Sequence, residues 1–183
     1  QYERAISHKA VGQFLKGDFP AAWLEYNRCR YGENGIAVSP IGNSLPLWNA
    51  DEKTANPVLV WTEQGLGDEI LQLGLVTDLY ETGRPLVIAT SERLVEITRR
   101  TFPRADCVSK DAISSGATFV NQPITQCPAM LIAPVYRKSL ESFPKRESYL
   151  TANEENSKAI RNDYLRGRTD ELLVGISWRS ANQ

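Results

Sequence analysis

The chain has 183 residues, of which 42% are hydrophobic, and a formal charge of −1 from 21 basic and 22 acidic side chains. This length can bury one good core with some chain left for an appended element. The balanced and scattered charges provide no electrostatic footprint for nucleic acid, so we expect no nucleic-acid partner. No stretch approaches the roughly 20 apolar residues that span a bilayer.

The start of the chain and its cysteines indicate the compartment and the chemistry. The segment QYERAISHKAVG lacks the basic-then-apolar layout of a signal peptide, and we expect a soluble, cytoplasmic protein without a membrane span. Cys29, Cys107 and Cys127 lie far apart without C-x-x-C spacing, which predicts three apolar fillers rather than a disulfide framework or a zinc site. Because His8 is the single histidine, we expect no metal site and no histidine-based catalysis.

Two short helices are predicted in residues 1–32. The first ends at Gly17, and the second begins after Asp18, which can cap it, with Pro20 in its first turn. The pattern resembles the second half of a tetratricopeptide repeat (TPR), in which small residues let paired helices approach and aromatic residues fill between them. It consists of Ala10, Gly17, Phe19, Ala22 and Tyr26. One such hairpin cannot bury its own apolar face, so it must end an array or pack on the domain that comes after it.

Residues 33–57 form an irregular connection that is rich in glycine and proline. Trp48 and the leucines beside it predict a linker that packs along the next domain. The alternative is a mobile loop with an isolated tryptophan.

From residue 58 to 170, short apolar runs alternate with helical stretches. The predicted order begins with a strand at 58–62, a helix at 68–83, a strand at 85–89 and a helix at 91–102. Strands that are apolar throughout are buried on both faces, and the helices between them form right-handed crossovers. This pattern predicts an α/β, Rossmann-like domain with a parallel sheet.

Four further apolar runs extend the predicted sheet. Strands are expected at 105–110, 117–121 and 129–133, with proline-broken loops around them. The run ELLVGISW at 171–178 is the most strand-like in the chain, and only five residues follow it. We therefore expect 171–183 to hold the first strand of a second, truncated Rossmann-like domain. Alternatively, this strand completes the first sheet at an edge.

A helix is predicted between the last two of these runs. Thr151 and Glu154 are spaced as a capping box, and Asn153 is another candidate cap. Gly167 is positioned to end the helix.

The segment TEQGLGDEI, residues 62–70, follows the first strand and opens the first helix of the domain. A dinucleotide-binding fingerprint needs a third glycine where this sequence has Ile70, which disfavours a nicotinamide dehydrogenase. No Gly-Lys-Ser/Thr follows, and Asp68 and Glu69 at the helix start would repel phosphate. The turn is therefore neither of the common phosphate-binding loops.

Asp68 in this turn has two interpretations. It can cap the helix, with Gly65 and Gly67 allowing a tight turn. Alternatively, it is a carboxylate at the carboxyl edge of a parallel sheet, where such folds place ligands, and it takes a proton from a hydroxyl. The glycines are then required because a side chain would block the approaching acceptor.

Four segments together resemble one family. They are LPLWNADEKTANPVLVWTEQGLGDEILQLGLVTDL, SERLVEITRRTFP, SYLTA and VGISWRS, and EQGLGDEI is the most specific part. On these residues the chain resembles the bacterial TPR glycosyltransferase-like proteins, relatives of the heptosyltransferases and of the SPINDLY-type O-GlcNAc transferases. The likeness covers nearly the whole chain.

The resemblance implies the N-terminal domain of a GT-B fold. In that architecture two Rossmann-like domains face each other, the first holding the acceptor and the second the nucleotide-sugar donor. Asp68 matches the aspartate taken as the general base in heptosyltransferase-like members, which implies inverting transfer without a metal or cofactor. The acceptor side then includes Glu63, Gln64, Gly65, Gly67 and Glu69.

Within this set, Gln64 can hydrogen-bond a sugar hydroxyl, and Glu63 and Glu69 can supply negative charge that favours proton uptake by the base. The alternative for the three side chains is a solvated rim. Arg179 and Ser180 follow the last predicted strand and are placed to meet donor phosphate, unless Arg179 is an ordinary loop cation.

Two functions remain open. The first is the acceptor-binding half of an inverting glycosyltransferase, inactive as this chain alone, whose repeats recruit or present a sugar or protein acceptor. The second is a non-catalytic scaffold that uses the TPR hairpin and a degenerate sugar-binding fold to hold a protein partner.

Overall fold

The computed structural model describes residues 2–32, 39, 44–51, 56–116, 118–168 and 171–176. The chain divides into two compact units, Gln1–Thr151 and Ala152–Gln183. The first unit holds a helical hairpin and a parallel sheet, and the second holds one described helix. The domain predicted at 58–170 is therefore divided after Thr151.

Helices and strands alternate through most of the first unit. The helices of the chain are α1 (Tyr2–Leu15), α2 (Phe19–Tyr31), α3 (Leu66–Glu81), α4 (Val95–Thr101), α5 (Lys110–Ser114), α6 (Ala133–Tyr136) and α7 (Glu154–Leu165). The strands are β1 (Val58–Trp61), β2 (Leu86–Thr90), β3 (Asp106–Ser109) and β4 (Thr125–Pro128). Turns of 3₁₀ helix lie at Glu92–Leu94, Ala129–Ile132 and Leu140–Ser142.

The four strands form one parallel sheet in the order β3-β2-β1-β4. Val58 pairs with Leu86 of β2 on one side and with Thr125 of β4 on the other. Every residue of β1 and β2 is buried, as their continuous apolar runs predict. The prediction of an α/β protein with a parallel sheet is confirmed.

Alternate residues of β1 face two different cores, because successive side chains of a strand point to opposite faces. Val58 and Val60 pack in a larger core that includes Leu73 of α3. Leu59 and Trp61 pack in a smaller core on the other face. The sheet is thus buried on both faces within the described part of the chain.

Two of the strands predicted within residues 58–170 are wrong, and one strand there was not predicted. Residues 118–121 are not in a strand, and residue 117 lies outside the described residues. The run AMLIA at 129–133 is a 3₁₀ turn that leads into α6, and the fourth strand is the preceding TQCP. Its polar residues and final proline hide it from a search for apolar runs, although a proline is tolerated at the end of an edge strand.

The run at 171–176 also forms no strand. Leu172, Val174 and Ile176 are exposed there. The last two residues of the predicted strand, 177 and 178, lie outside the described residues.

The helical hairpin forms as predicted. Gly17 adopts a φ of +78° between the helices, and the Asp18 side chain caps α2 by accepting from the Ala21 N–H at 3.3 Å. Ala10 and Ala22 are buried, which lets the two helices approach closely. The hairpin packs on the sheet unit, where Trp23 Nε1 donates to the Arg137 carbonyl at 2.7 Å.

Linker residues 45–48 lie along the outer edge of β4. Leu47 forms a parallel bridge with Gln126, and the Trp48 N–H donates to the Gln126 carbonyl at 2.8 Å. The Trp48 side chain packs against the larger core. This part of the linker therefore extends the pairing of the sheet by one short segment.

Two smaller predictions can be compared with the structure directly. Asn153 rather than Thr151 caps α7, accepting from the Asn156 N–H at 2.8 Å, and Gly167 follows the helix with a φ of +83°. The three cysteines are buried thiols, as expected for apolar fillers.

Candidate functional site

The turn between β1 and α3 has an unexpected left-handed residue. Gln64 has a φ of +70°, whereas Gly65, the N-cap of α3, has a φ of −85°. A methyl group added to Gly67 would have no atom within 4 Å. The prediction that the two glycines supply the backbone freedom of this turn is wrong, because Gln64 takes the conformation that usually favours glycine.

Asp68 lies exposed in the first turn of α3. Its Oδ2 accepts a hydrogen bond from the Gly65 N–H at 3.0 Å, so the carboxylate caps the helix. The other oxygen, Oδ1, has no hydrogen-bond donor in the described part of the chain. Asp68 therefore keeps one free acceptor beside its structural role.

A cavity of about 650 Å³ opens beside Asp68. Its walls come from the hairpin, from α3 and from the segment 130–149. Aromatic side chains at the wall are Trp23, Tyr26, Phe143 and Tyr149. Mostly apolar cavities of this size with a few polar groups are the usual form of small-molecule sites.

The polar groups of the cavity are few, and Gln64 and Asp68 are two of them. Gln64 Nε2 donates to the Tyr26 hydroxyl at 3.0 Å, which links the β1–α3 turn to the hairpin. Burial is the largest cause of a raised pKa at Tyr26. Tyr26 is therefore a neutral hydroxyl at physiological pH.

The two cations at the cavity wall are both ion-paired. Arg137 pairs with Asp78, and Arg146 pairs with Asp78 at 3.2 Å and with Glu81 at 2.6 Å. The positive charge of this pair is thus matched by two carboxylates. Among the described lining residues, Asp68 carries the remaining formal charge.

Glu69 lies in the interior, with only 1% of its surface exposed. Its carboxylate accepts hydrogen bonds from the Thr62 and Ser91 hydroxyls, from the Ser91 N–H at 2.9 Å and from Lys110 Nζ at 3.1 Å. Thr62, Ser91 and Lys110 follow β1, β2 and β3, so one carboxylate joins the carboxyl ends of three strands. Glu69 is therefore not part of a solvated rim, which was the alternative interpretation, and it does not line the cavity as the predicted acceptor-side residue would.

The pKa of Glu69 reflects this saturation. Burial alone would raise the pKa, but the hydrogen bonds from Ser91, Thr62 and Lys110 outweigh burial and hold it below its ordinary value. Glu69 therefore remains an anion, and Lys110 balances its charge.

Glu63 is also buried, and its carboxylate is held by hydrogen bonds. Arg30 of α2 holds its carboxylate with two hydrogen bonds, one of them at 2.9 Å, and the Tyr31 hydroxyl donates to it as well. Burial, and then this hydrogen bond to Glu63, raises the pKa of Tyr31. Gln72 of α3 completes the arrangement by pairing with both the N–H and the carbonyl of Glu63, at 3.0 and 3.1 Å.

The structure thus separates the predicted site residues into groups. Gln64 and Asp68 line the cavity, while Gly65 and Gly67 lie in the same turn without lining it. Glu63 and Glu69 are each paired with a cation, so neither adds an unbalanced negative charge beside Asp68. Arg179 and Ser180 lie outside the described residues.

Several site residues could not be assigned from local sequence patterns. Tyr26 belongs to the repeat pattern, and neither Arg30 nor Lys110 is among the residues that the sequence predicts for the site. Lys110 carries a detectable signal, because it is the last residue of a predicted strand and the carboxyl ends of parallel strands share one edge. Arg30 has no such signal, since its pairing with Glu63 joins residues 33 positions apart.

Two features are absent from the described residues. No group of three or more His, Cys, Asp or Glu side chains there is arranged to hold a metal ion. Among the described helices, none combines the length and the apolar character that crossing a membrane requires.

Comparison with known proteins adds one relative. The chain is similar to Protein FlbA of Caulobacter vibrioides, with 28% identity over 149 residues that cover 73% of this chain and 24% of FlbA. The chain therefore spans about a quarter of the length of this curated relative. No protein-family model and no solved structure matches it. Any assignment of function therefore depends on the geometry of the cavity.

Proposed function

We propose that the chain forms the acceptor-binding half of an inverting, nucleotide-sugar-dependent glycosyltransferase. The observation that supports this function most directly is the exposed carboxylate of Asp68, fixed by its Gly65 hydrogen bond at the wall of the 650 Å³ cavity. A fixed carboxylate with one free oxygen is suited to take a proton from a bound hydroxyl.

In the proposed reaction, Asp68 removes the proton of an acceptor hydroxyl while the oxygen of that hydroxyl attacks the anomeric carbon of the donor sugar. The bond between that carbon and the nucleoside diphosphate breaks, and the leaving group keeps the electron pair. Attack from the face opposite the leaving group inverts the anomeric centre. The role of the chain is to hold the acceptor and remove its proton.

The sheet supports a Rossmann-like assignment within a GT-B architecture. Its order, β3-β2-β1-β4, is part of the order found in doubly wound dinucleotide-binding folds. In this proposal a second Rossmann-like domain supplies the donor site, and Arg179 and Ser180 contact the donor phosphate. The sequence pattern of the α1–α2 hairpin and its packed helices support the proposal that it is a TPR-like unit.

The test is turnover by the full-length polypeptide with a panel of nucleotide sugars, measured as release of nucleoside diphosphate. We expect Asp68→Asn to lower the rate by about 10²- to 10⁴-fold, the usual effect of losing a general base. Asp18→Asn is the matched control, because Asp18 also caps a helix but does not line the cavity. Failure of the wild type to use any donor, or equal rates for wild type and Asp68→Asn, contradicts the proposal.

A non-catalytic scaffold is the second candidate, and the surface of the hairpin favours it. Val11, Leu15 and Leu24 are exposed there at 52%, 84% and 69%. Such residues are usual where a further repeat or a partner protein covers the helices. This function predicts that Leu24→Glu, and not Asp68→Asn, impairs complementation of a strain that lacks the protein.

A further inference from the structure

We propose that the cavity binds an uncharged, hydroxyl-bearing ring such as a pyranose, and that Tyr26 of the hairpin donates the hydrogen bond that selects it. The inference rests on the proposed function, since the ring is the acceptor whose hydroxyl Asp68 activates. It makes the hairpin part of the acceptor site in addition to any recruiting role.

The Tyr26 hydroxyl has one hydrogen-bonding direction left for a ligand. It accepts from Gln64 Nε2 at 3.0 Å, and among the described residues no acceptor receives its own proton. A phenol can donate one hydrogen bond while it accepts another. The proton of Tyr26 is therefore available to an oxygen in the cavity.

Tyr26 remains a donor over the physiological pH range. Burial raises the pKa of Tyr26 most. Arg30 and the hydrogen bond from Gln64 oppose this effect without cancelling it, and the Glu63 and Asp68 carboxylates add smaller upward effects. The hydroxyl therefore keeps its proton. Tyr26 and Asp68 together offer one donor and one acceptor, which match a pair of ring hydroxyls.

The aromatic wall suits the carbon-bound hydrogens of a sugar ring. The indole N–H of Trp23 donates to the Arg137 carbonyl, so Trp23 offers only apolar surface to the cavity. The Trp23 ring packs edge-on against the rings of Phe14 and Tyr26, with distances between ring centroids of 4.5 Å and 6.1 Å. A pyranose has an apolar C–H face and a hydroxylated rim, and this combination matches an aromatic wall beside a few polar groups.

Charge decides against an anionic ligand. The cavity cations Arg137 and Arg146 are paired with Asp78 and Glu81, while Asp68 adds an unpaired negative charge. A phosphate or carboxylate on the ligand would enter a cavity without an unpaired cation among its described lining residues, and it would be repelled by Asp68. The site should therefore discriminate against phosphorylated or carboxylated sugars.

The first experiment measures equilibrium binding to this chain by ligand-observed NMR, without any donor. The neutral probes are the methyl glycosides of glucose, galactose, mannose and N-acetylglucosamine, and the anionic probes are glucose 6-phosphate and glucuronate. We expect at least one neutral probe to bind about tenfold or more tightly than the anionic probes. Tyr26→Phe should weaken that binding by about three- to tenfold, while Tyr80→Phe, which removes a hydroxyl outside this cavity, should not.

A second variant tests the charge argument at an exposed position that the fold does not need. Leu71 lines the cavity and is 70% exposed, and Leu140 is 71% exposed and does not line it. We expect Leu71→Arg to strengthen binding of the anionic probes, and Leu140→Arg to leave it unchanged.

The proposal is overturned if no neutral probe binds, if anionic probes bind as tightly as neutral ones, or if Tyr26→Phe binds like the wild type. These outcomes are separate from failure of the proposed function. If neutral sugars are still selected but wild type and Asp68→Asn have equal rates, only the transferase function is rejected. If Asp68→Asn lowers the rate but Tyr26→Phe binds sugars like the wild type, only the selection by Tyr26 is rejected.

Discussion

Gly65 and Asp68 are joined across the first turn of α3 by a hydrogen bond of 3.0 Å from the Gly65 N–H to the Asp68 carboxylate. A methyl group on Gly65 would lie 3.2 Å from the same carboxylate oxygen, Oδ2. The absence of a side chain at Gly65 therefore lets the carboxylate cap its own helix. The position of the proposed base, Asp68, therefore depends on Gly65 because glycine lacks a side chain, since the backbone of Gly65 is not in the left-handed conformation.

Gly65→Ala should displace the Asp68 carboxylate by a few tenths of an ångström and lower the free energy of unfolding by about 1 kcal/mol, since alanine is a poor N-cap residue. Gly67→Ala is the control. Its added methyl meets no atom within 4 Å, and we expect it to be neutral or to stabilise by up to about 1 kcal/mol. Urea unfolding measures both; equal destabilisation by the two variants would contradict the role of Gly65.

Glu69→Gln should destabilise the protein by about 2–4 kcal/mol, because it leaves the partly buried Lys110 without a counter-charge and weakens the joint between three strands. Glu96→Gln removes an exposed ion pair with Arg99 and should change stability by less than about 0.5 kcal/mol. Chemical denaturation of the two variants gives the comparison. A similar small effect for both would show that the Glu69 network is not structural.

Stability should decrease in acid partly through Glu69. Its pKa in the folded protein lies below the ordinary value of 4.5, so the unfolded chain takes up the proton first as the pH falls. The contribution of Glu69 is therefore complete above about pH 4.5 and is lost as the pH falls from there through the folded pKa. Unfolding free energies measured from pH 7 to pH 3 should fall less steeply for Glu69→Gln than for the wild type.

Arg30→Ala should loosen the hairpin from the sheet unit. The variant leaves Glu63 buried beside Tyr31 without its cation, at a cost of about 2–4 kcal/mol. We expect faster amide hydrogen exchange in α1 and α2 with smaller changes in β1 and β2. Lys9→Ala, which removes a cation that is 59% exposed in its pair with Glu25, should leave hairpin exchange nearly unchanged. Uniform exchange changes across the whole unit would argue against local undocking.

Gln64→Gly and Gln64→Ala both remove the hydrogen bond to Tyr26, but only alanine must then adopt the left-handed conformation. Glycine takes a φ of +70° without steric cost, so the glycine variant should be more stable than the alanine variant by about 1 kcal/mol. Thermal unfolding of the pair measures this difference. Equal stability would mean that the turn relaxes away from the left-handed conformation.

The sheet and hairpin were largely predictable because their signals are local. The buried runs of β1 and β2 are apolar throughout, and Gly17 and Asp18 mark the boundary between α1 and α2. β4 escaped prediction because its polar residues Thr125 and Gln126 are buried by neighbours distant in sequence. The Gln126 side chain, for example, donates to the Leu45 carbonyl and accepts from Trp61 Nε1.

The candidate site was predicted only in part. The Asp68 turn was found because glycine and aspartate directly follow a buried strand. The burial and ion pairing of Glu63 and Glu69 could not be predicted in the same way. A carboxylate next to a turn is solvated unless a cation from elsewhere in the chain pairs with it. Those cations, Arg30 and Lys110, come from α2 and from the residue after β3.

The sequence by itself determined the alternation of helices and strands, the parallel sheet and the position of Asp68 at the start of α3, since each depends on periodicity or on contacts within a few residues. Only the tertiary structure decided that the hairpin supplies Trp23 and Tyr26 to the cavity beside Asp68, and that Glu63 and Glu69 are withdrawn into ion pairs. The physical reason is that burial and ion pairing depend on contacts between residues that are distant in sequence. The packing of the hairpin against the sheet determines those contacts.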